Sequence, residues 1–201
     1  MIIVLGSNNK HKAKEINNIL SISNLSGIEI KTLSDLINKA IDVEENGKTL
    51  EENAQIKAKF YYYHFLLPTI ADDTGLEVDI LDGLPGVYSA RFSGSYGNDK
   101  ANRRKLIDML MPYPQEFWTA RFRTVICLYD KGQAHYAEGI CKGRIIDEER
   151  GEGGFGYDSI FIPEGFTKTF AEMSFEEKNL ISHRANAINN FVKLIKELYK
   201  L

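Results

Sequence analysis

The chain has 201 residues, enough for one domain with a substantial core. Its apolar fraction of 43% and charged fraction of 26% are ordinary for a globular protein, which excludes global disorder. A formal net charge of -3 argues against a broad nucleic-acid-binding surface.

Membrane and zinc-binding classes also find no support. No apolar run is long enough to span a bilayer, and the short apolar N-terminus is not typical of a signal peptide, so a cytoplasmic protein is expected. The two cysteines, Cys127 and Cys141, lie in apolar, strand-like surroundings without nearby histidines. We therefore expect them to be small buried residues.

The N-terminal segment has the pattern of a strand, a loop and a helix. Residues 2–5 are apolar throughout, 6–9 (Gly-Ser-Asn-Asn) break the run, and Ala13, Ile16 and Leu20 share one face of the following helix. A helix start with free N–H groups and nearby lysines is suited to an anion. An ordinary capped helix is an equally good interpretation of this segment.

A second strand is predicted at residues 28–31, followed by an acidic segment at 42–47. Thr49 and Glu52 have the spacing of a capping box and open a long helix. Its apolar stripe has helical periodicity: Leu50, Ala54, Ala58, Tyr61 and Phe65. Asn53 and Lys57 share a neighbouring face and point either into a cleft or into solvent.

The central feature of the chain is a short apolar strand, residues 69–71, that runs into Asp72 and Asp73 and then Thr74. Adjacent carboxylates at the end of a strand repel each other, and neither is buried cheaply without a cation or hydrogen-bond donors. Strand ends are also where α/β sheets bind ligands. A polar turn is the simpler interpretation of this spacing by itself.

The following elements are regular. Residues 76–80 alternate as a strand, 82–86 form a rigid turn, and 98–111 form a helix that prolines terminate. A β-hairpin is predicted from residues 120–129 and 133–139, with a turn at 130–132.

Residues 151–156 match the letters of the dinucleotide fingerprint G-x-G-x-x-G, but the context is wrong. The fingerprint needs a preceding strand and a following helix, whereas residues 157–163 have the pattern of a strand ending at Pro163. Glycines around Phe155 suit a backbone that approaches a flat ligand closely. A flexible surface loop is the alternative.

The C-terminal segment contains a second capping box, Ser174 with Glu177, and a final helix that starts near His183 and Arg184. Its predicted apolar stripe comprises Ile181, Ala185, Ile188, Val192, Ile195 and Tyr199. Cations at a helix start are disfavoured by the helix dipole. His183 and Arg184 therefore either pair with a nearby acid or bind a ligand.

Taken together, these segments supply carboxylates that suit Mg²⁺ and cations that suit phosphates, the groups that phosphoryl chemistry needs. The chain contains no P-loop motif. Residue chemistry by itself therefore indicates metal-assisted phosphoanhydride hydrolysis.

The same segments, in this order, resemble the inosine/xanthosine triphosphate pyrophosphatases, a family that hydrolyses non-standard purine nucleoside triphosphates. The matching motifs run nearly end to end: 7–12 (SNNKHK), Glu44, 51–54 (EENA), Lys57, 71–76 (ADDTGL), 83–92 (GLPGVYSARF), 153–158 (GGFGYD), 170–173 (FAEM), 177–178 (EK) and 182–184 (SHR). Departures are small: Asn8 and His11 replace small residues, and Thr74 stands where many members have serine.

The resemblance implies an α/β fold, with an elongated mixed sheet flanked by helices and a single domain, residues 1–201, of two lobes around a central active-site cleft. It also implies a homodimer and hydrolysis of ITP, dITP and XTP to the nucleoside monophosphate and pyrophosphate. That activity cleanses the nucleotide pool and keeps deaminated purines out of DNA and RNA.

The resemblance also assigns roles to residues. Asp73 is implied as the general base, and Mg²⁺, with Mn²⁺ as a substitute, is held by Glu44, Asp72 and Asp73. The implied triphosphate-binding residues are Ser7, Asn8, Asn9, Lys10, His11, Lys12, Lys57, Thr74 and Arg91. The implied base pocket comprises Phe155, Gly156, Tyr157, Asp158, Lys178, His183 and Arg184.

Two other classes of protein fit parts of the sequence. A nucleotide sensor without catalysis would keep the basic groups but would not need Asp72 beside Asp73. An RNA-binding module would need a basic surface with exposed aromatic residues, whereas Tyr61 and Phe65 fall on a core-type stripe. Pyrophosphate release from ITP distinguishes the enzyme from both.

Overall fold

A computed structural model of the chain describes residues 1–7, 16, 27–37 and 41–200. The described residues form one six-stranded sheet with the order β2-β1-β3-β4-β5-β6. The strands are β1 Ile2–Leu5, β2 Glu29–Thr32, β3 Thr69–Val78, β4 Thr119–Asp130, β5 Gln133–Ile145 and β6 Phe161–Pro163. β1 pairs in parallel with β2 and β3, and β5 pairs antiparallel with β6, which makes the sheet mixed.

Five α-helices accompany the sheet in the described part of the chain: α1 Leu33–Leu36, α2 Leu50–Phe65, α3 Asp99–Leu110, α4 Phe175–Ile181 and α5 His183–Tyr199. The α/β class with a mixed sheet and helices is confirmed. Among the described residues, none of the helices is long and apolar enough to cross a membrane. Most of the predicted first helix lies outside the described residues, apart from Ile16, which is helical and buried.

Chain contacts divide the protein into two compact units. Unit 1 comprises residues 1–73, 124–139 and 184–201, and unit 2 comprises 74–123 and 140–183. β3, β4 and β5 each contribute residues to both units.

The core of unit 1 packs helix α5 against the strands. Ala185, Ile188 and Ile195 are buried, and Val192 and Tyr199 pack at the edge of the same cluster. The predicted stripe of the last helix is therefore confirmed for these five residues. It is wrong for Ile181, which lies in α4 and packs against the core of unit 2, because the chain turns at Ser182 before α5 begins.

Helix α2 confirms the predicted stripe, since Leu50, Ala54, Ala58 and Tyr61 are buried. The Thr49 side chain accepts a hydrogen bond from the Glu52 N–H, as a helix cap should. The reciprocal half of the predicted box is wrong: Glu52 accepts from the N–H of Lys48 instead of that of Thr49. The box at Ser174 and Glu177 is complete and opens α4.

The core of unit 2 is aromatic. The Phe122 ring lies 4.7 Å from that of Phe161 and 5.9 Å from that of Phe170, and Trp118 is fully buried beside them. The predicted hairpin is confirmed as β4 and β5, and its two-residue turn has positive φ at Lys131 and Gly132, the geometry that matches strand twist. Cys127 and Cys141 are buried as predicted, and burial raises the pKa of each thiol to about 12.

Candidate functional site

Asp72 and Asp73 lie inside a strand rather than at its end. β3 continues without a break from Thr69 to Val78, so the predicted end of the strand at Ala71 is wrong. Both acids are nonetheless buried, with 2% and 8% of their surface exposed. Successive side chains leave a strand on opposite faces, and Asp73 therefore points away from the face that Asp72 shares with Ile70.

Asn53 holds the Asp73 carboxylate. This side chain on α2 is completely buried, and its amide N–H donates to Asp73 Oδ2 over 3.1 Å. Its amide oxygen accepts from the N–H of Gly47 over 2.8 Å. A Cβ atom at Gly47 would come within 2.6 Å of that oxygen, so only glycine allows the loop to approach so closely. Asn53 thus fixes the carboxylate of Asp73 to both helix and loop.

Lys57, one turn further along α2, faces the same carboxylate. Its Nζ lies 2.9 Å from Glu45 Oε2 and 3.5 Å from Asp73 Oδ1, and only 12% of its side chain is exposed. Burial by itself would lower the pKa of Lys57, but the charges of Asp73, Glu45 and Asp72 outweigh it and raise that pKa above the usual value. Lys57 is therefore a permanently charged ammonium group among acids, not a solvated surface residue.

We call Glu45, Asn53, Lys57 and Asp73 the Asp73 cluster; all four belong to unit 1. A carboxylate offers about four lone pairs. Asn53 and Lys57 engage one side of each Asp73 oxygen, which leaves lone pairs for a water molecule or a cation. The cluster has the parts needed to accept a proton from water: an oriented, buried carboxylate with charge-balancing neighbours.

The predicted metal ligands are not brought together as a group. Within the described ranges, no three His, Cys, Asp or Glu side chains lie close enough to hold a metal ion. Glu44 is exposed, whereas its neighbour Glu45 turns toward Lys57. The acid that the acidic segment contributes to the cluster is thus Glu45, which is half-buried and pairs with Lys57.

Most of the predicted triphosphate loop lies outside the described residues: Asn8, Asn9, Lys10, His11 and Lys12. Ser7 is half-buried directly after β1. Thr74 is half-buried in β3, and Arg91 ends a short 3₁₀ helix, Gly86–Arg91, with its guanidinium 5.3 Å from the centre of the Tyr88 ring. Their contact with phosphate stays a prediction.

Residues 151–158, which we call the glycine-aromatic loop, are held by hydrogen bonds within the loop and to Lys178. Asp158 Oδ2 accepts from the N–H of Phe155 over 2.9 Å and from Lys178 Nζ over 2.7 Å. Gly154 has φ +73°, and a Cβ there would come within 2.1 Å of that same oxygen. The loop is followed by a 3₁₀ turn and strand β6, so the rejection of a dinucleotide fingerprint is confirmed.

Lys178 and His183 lie against aromatic rings in unit 2. The Lys178 ammonium lies 5.4 Å from the centre of the Phe155 ring and 5.2 Å from that of Phe170, and the residue is 7% exposed. The His183 ring stacks on Phe122 at 4.6 Å with an angle of 17° between the planes. Cations and rings held in this way present donors and flat faces, which suits a planar heterocycle.

Arg184 is buried in the first turn of α5, with 2% of its surface exposed. The start of α5 at His183 is as predicted. Burying a guanidinium costs free energy unless its N–H groups find hydrogen-bond partners. Buried arginines are therefore common where a protein binds a ligand.

Sequence reasoning did not assign roles to several residues that the structure brings to these groups. Glu45 and Asn53 belong to the Asp73 cluster, and Asp99 and Arg103 of α3 contact the backbone of Gly156. The spacing of Asn53 and Lys57 on one helix face was a usable signal for Asn53, whereas no signal distinguished Glu45 from Glu44. No local pattern identifies the second pair, since its partner lies more than fifty residues away.

Comparison with known proteins places these features in context. Residues 3–194 match the Ham1 family. The chain is 45% identical over 195 residues to the dITP/XTP pyrophosphatase of Christiangramia forsetii. The aligned residues cover 97% of this chain and 99% of that protein. It is 48% identical over 188 residues to the dITP/XTP pyrophosphatase of Porphyromonas gingivalis, covering 92% and 93% of the two chains.

The fold is similar to solved structures as well. A HAM1 protein from Coxiella burnetii superposes with a TM-score of 0.88 at 34% identity, covering 98% of this chain and 99% of that one. The similarity to these proteins, in sequence and in structure, therefore extends over nearly the whole chain.

Proposed function

The chain belongs to the Ham1 family, and we propose that it hydrolyses non-standard purine nucleoside triphosphates, ITP, dITP and XTP, to the monophosphate and pyrophosphate. The relatives named as dITP/XTP pyrophosphatases, at 45% and 48% identity over nearly full length, support this activity. At that level of identity the substrate class of the relatives is the best guide to that of this chain.

The single observation that carries the chemistry is the setting of Asp73. Its carboxylate is buried, oriented by Asn53 and balanced by Lys57. A sensor that only binds nucleotide has no use for such a group. We propose that Asp73 accepts the proton of the water that attacks the triphosphate, while Asn53 keeps one carboxylate oxygen in place.

A divalent cation fits the donor set of the Asp73 cluster. Oxygens of Glu45 and Asp73 lie 2.9 Å and 3.5 Å from the same Lys57 nitrogen, so the two carboxylates are close to each other. Mg²⁺ is typically bound by one or two carboxylates and completed by substrate phosphates, so a third protein ligand is not required. We propose that Asp73 holds Mg²⁺, or Mn²⁺ in its place, together with Glu45, while the parts assigned to Glu44 and Asp72 by the resemblance stay predictions.

Mg²⁺ when bound would neutralise charge on the triphosphate oxygens and on the leaving pyrophosphate. Lys57 would add a fixed positive charge beside the phosphates. Removal of the water's proton is the task of Asp73 in this proposal.

Recognition of the base is proposed for the glycine-aromatic loop with Lys178, His183 and Arg184. Lys178 brings a donor-rich ammonium group to this loop, where it donates to Asp158 over 2.7 Å. A purine ring would stack on an aromatic face while donors address its C6 oxygen. The homodimer implied by the resemblance and the cytoplasmic location expected from the sequence stay predictions.

The proposed function is tested by incubating the chain with ITP and measuring pyrophosphate and phosphate separately. We expect pyrophosphate and inosine monophosphate as products. EDTA should abolish turnover, and an excess of Mg²⁺ should restore it, because a triphosphate and a carboxylate cluster repel each other without a cation between them. Release of single phosphates, or full turnover in EDTA, would contradict the proposal.

Lys57→Ala is expected to raise KM for ITP by about tenfold and to lower kcat less, because a phosphate-binding charge acts in the ground state as well as the transition state. The effect should be larger at low salt. Lys59→Ala removes an exposed lysine of the same helix and is the matched control. If Lys57→Ala and Lys59→Ala behave alike in steady-state kinetics, Lys57 has no role at the phosphates.

A further inference from the structure

Helix α3 lies outside every group to which the sequence assigned a role, yet its polar side chains hold the backbone of two loops in unit 2. Asp99, Asn102 and Arg103 are spaced so that they share one face of the helix. Each makes a hydrogen bond to a backbone group in a segment that contains predicted substrate-binding residues. The helix therefore has more than a packing role.

The first of these segments is the glycine-aromatic loop. The N–H of Gly156 donates to Asp99 Oδ2 over 2.7 Å, and the carbonyl of Gly156 accepts from Arg103 Nη1, also over 2.7 Å. These groups belong to the two successive peptide units on either side of the Gly156 Cα atom. Fixing both units fixes the direction in which Phe155 and Tyr157 leave the loop.

Arg103 is itself held in place. Its other terminal nitrogen lies 2.8 Å from Glu149 Oε2, and only 16% of the arginine side chain is exposed. Its hydrogen bond to Glu149 keeps the pKa of that carboxyl below the usual value. A half-buried guanidinium that contacts two partners is a rigid donor, in contrast to a surface arginine that samples many rotamers.

The second segment follows Arg91. Asn102 is 1% exposed, and its amide oxygen accepts from the N–H of Ser93 over 2.7 Å. Lys105 Nζ donates to the carbonyl of Phe92 over 2.7 Å. The two segments are also joined directly, because the Tyr157 hydroxyl donates to the carbonyl of Ser89 over 3.0 Å.

We propose that α3 is a positioning helix for substrate recognition: Asp99 and Arg103 set the base-recognising loop, and Asn102 and Lys105 set the segment that carries Arg91. The inference rests on the proposed function, since it assumes that the glycine-aromatic loop recognises the purine. None of these four residues touches the substrate in this proposal. Their contribution is to hold recognition groups in the productive geometry before the nucleotide binds.

The two ends of the helix predict different kinetic effects. ATP and ITP share the triphosphate and differ in the base, so a change in the base loop alters their ratio of kcat/KM. Asp99→Ala and Arg103→Met should each lower that ITP-to-ATP ratio by about tenfold, the scale of one hydrogen bond to a charged group. Lys105→Met should lower kcat/KM for both nucleotides equally, because Arg91 is predicted to bind phosphate.

Matched variants separate positioning from general loss of stability. Asp99→Asn keeps an acceptor for the Gly156 N–H and should recover most of the ratio that Asp99→Ala loses. Arg104→Met removes the adjacent arginine, which is 78% exposed and pairs only with Asp108 among the described residues, and should leave the ratio unchanged. Amide hydrogen exchange gives a readout without activity: the Gly156 N–H should exchange at least about tenfold faster in Asp99→Ala.

An unchanged ratio in both Asp99→Ala and Arg103→Met, or an equal loss for ITP and ATP, would overturn the positioning role. So would unchanged exchange of the Gly156 amide in Asp99→Ala. Failure of the proposed function is seen separately, in the unaltered chain: if it cleaves ATP as fast as ITP, base recognition by the loop is refuted and this inference falls with it.

Discussion

Replacing Asp73 with asparagine is expected to lower kcat for ITP at least about a hundredfold, the loss typical of a positioned general base. The substitution keeps the shape of the side chain and removes the charged oxygen that would accept the proton. Asparagine also meets Lys57 and Asn53, two donors, with only one acceptor oxygen. Single-turnover hydrolysis of ITP in excess Mg²⁺ measures the effect on the chemical step.

Stability must be measured alongside activity, because Asp73→Asn leaves the buried Lys57 with less compensating charge. Thermal unfolding and ITP binding show whether the variant is folded. Asp108→Asn removes an exposed carboxylate that pairs with Arg104, and serves as the control for loss of one negative charge. A folded, ITP-binding Asp73→Asn variant with undiminished kcat would refute the assignment.

The preference for ITP over ATP, measured as a ratio of kcat/KM, is expected to be at least as large as the loss of kcat in Asp73→Asn. Hypoxanthine and xanthine present an acceptor oxygen at C6, whereas adenine presents a donor amino group there. Lys178, His183 and Arg184 are all nine-tenths or more buried and are rich in donors. A buried donor left unpaired costs about 1–3 kcal/mol, and more when charged. Several such donors discriminate by roughly four orders of magnitude.

ITP, dITP and XTP should therefore be hydrolysed far faster than ATP, with GTP a slow second because guanine shares the C6 oxygen. Competition between nucleotides in one reaction, with separate quantification of each monophosphate, gives the ratios of kcat/KM directly. Arg184→Ala should narrow the gap between ITP and ATP mainly by losing ITP turnover. Arg184→Lys keeps the charge and controls for the loss of buried volume.

Cleavage of ATP at the same rate as ITP would remove the selectivity that defines the proposed role. A general nucleotide pyrophosphatase would then be the better description. If Arg184→Ala is folded and keeps the full ITP-to-ATP ratio of kcat/KM, Arg184 does not recognise the base. Lys178 and the loop backbone would then be the groups that do.

Much of the fold follows from local sequence. The apolar run of β1, the capping residues of α2 and α4, the stripe on α2 and the two-residue hairpin turn depend on neighbours within a few positions. Such patterns are readable because backbone propensity, capping and side-chain periodicity are short-range effects. The ordered motifs likewise pointed to the correct family, since many matches in one order are far more specific than any single match.

The setting of Asp72 and Asp73 was decided by tertiary structure. Two adjacent acids predict the end of a strand, because an isolated carboxylate is costly to bury. β3 continues through them because Asn53 and Lys57 of α2 supply a donor and a positive charge to Asp73. The same packing selects Glu45 rather than Glu44, a choice that identical neighbouring residues cannot express in sequence.

The hold of α3 on the glycine-aromatic loop is the clearest case of this kind. Gly156 is separated from Arg103 by 53 positions and from Asp99 by 57. The sequence by itself determined which residue types are present, which helices and strands most of them enter and which family they indicate. Only the folded chain decided which polar groups meet, because a hydrogen bond depends on distances of about 3 Å that no spacing along the chain fixes.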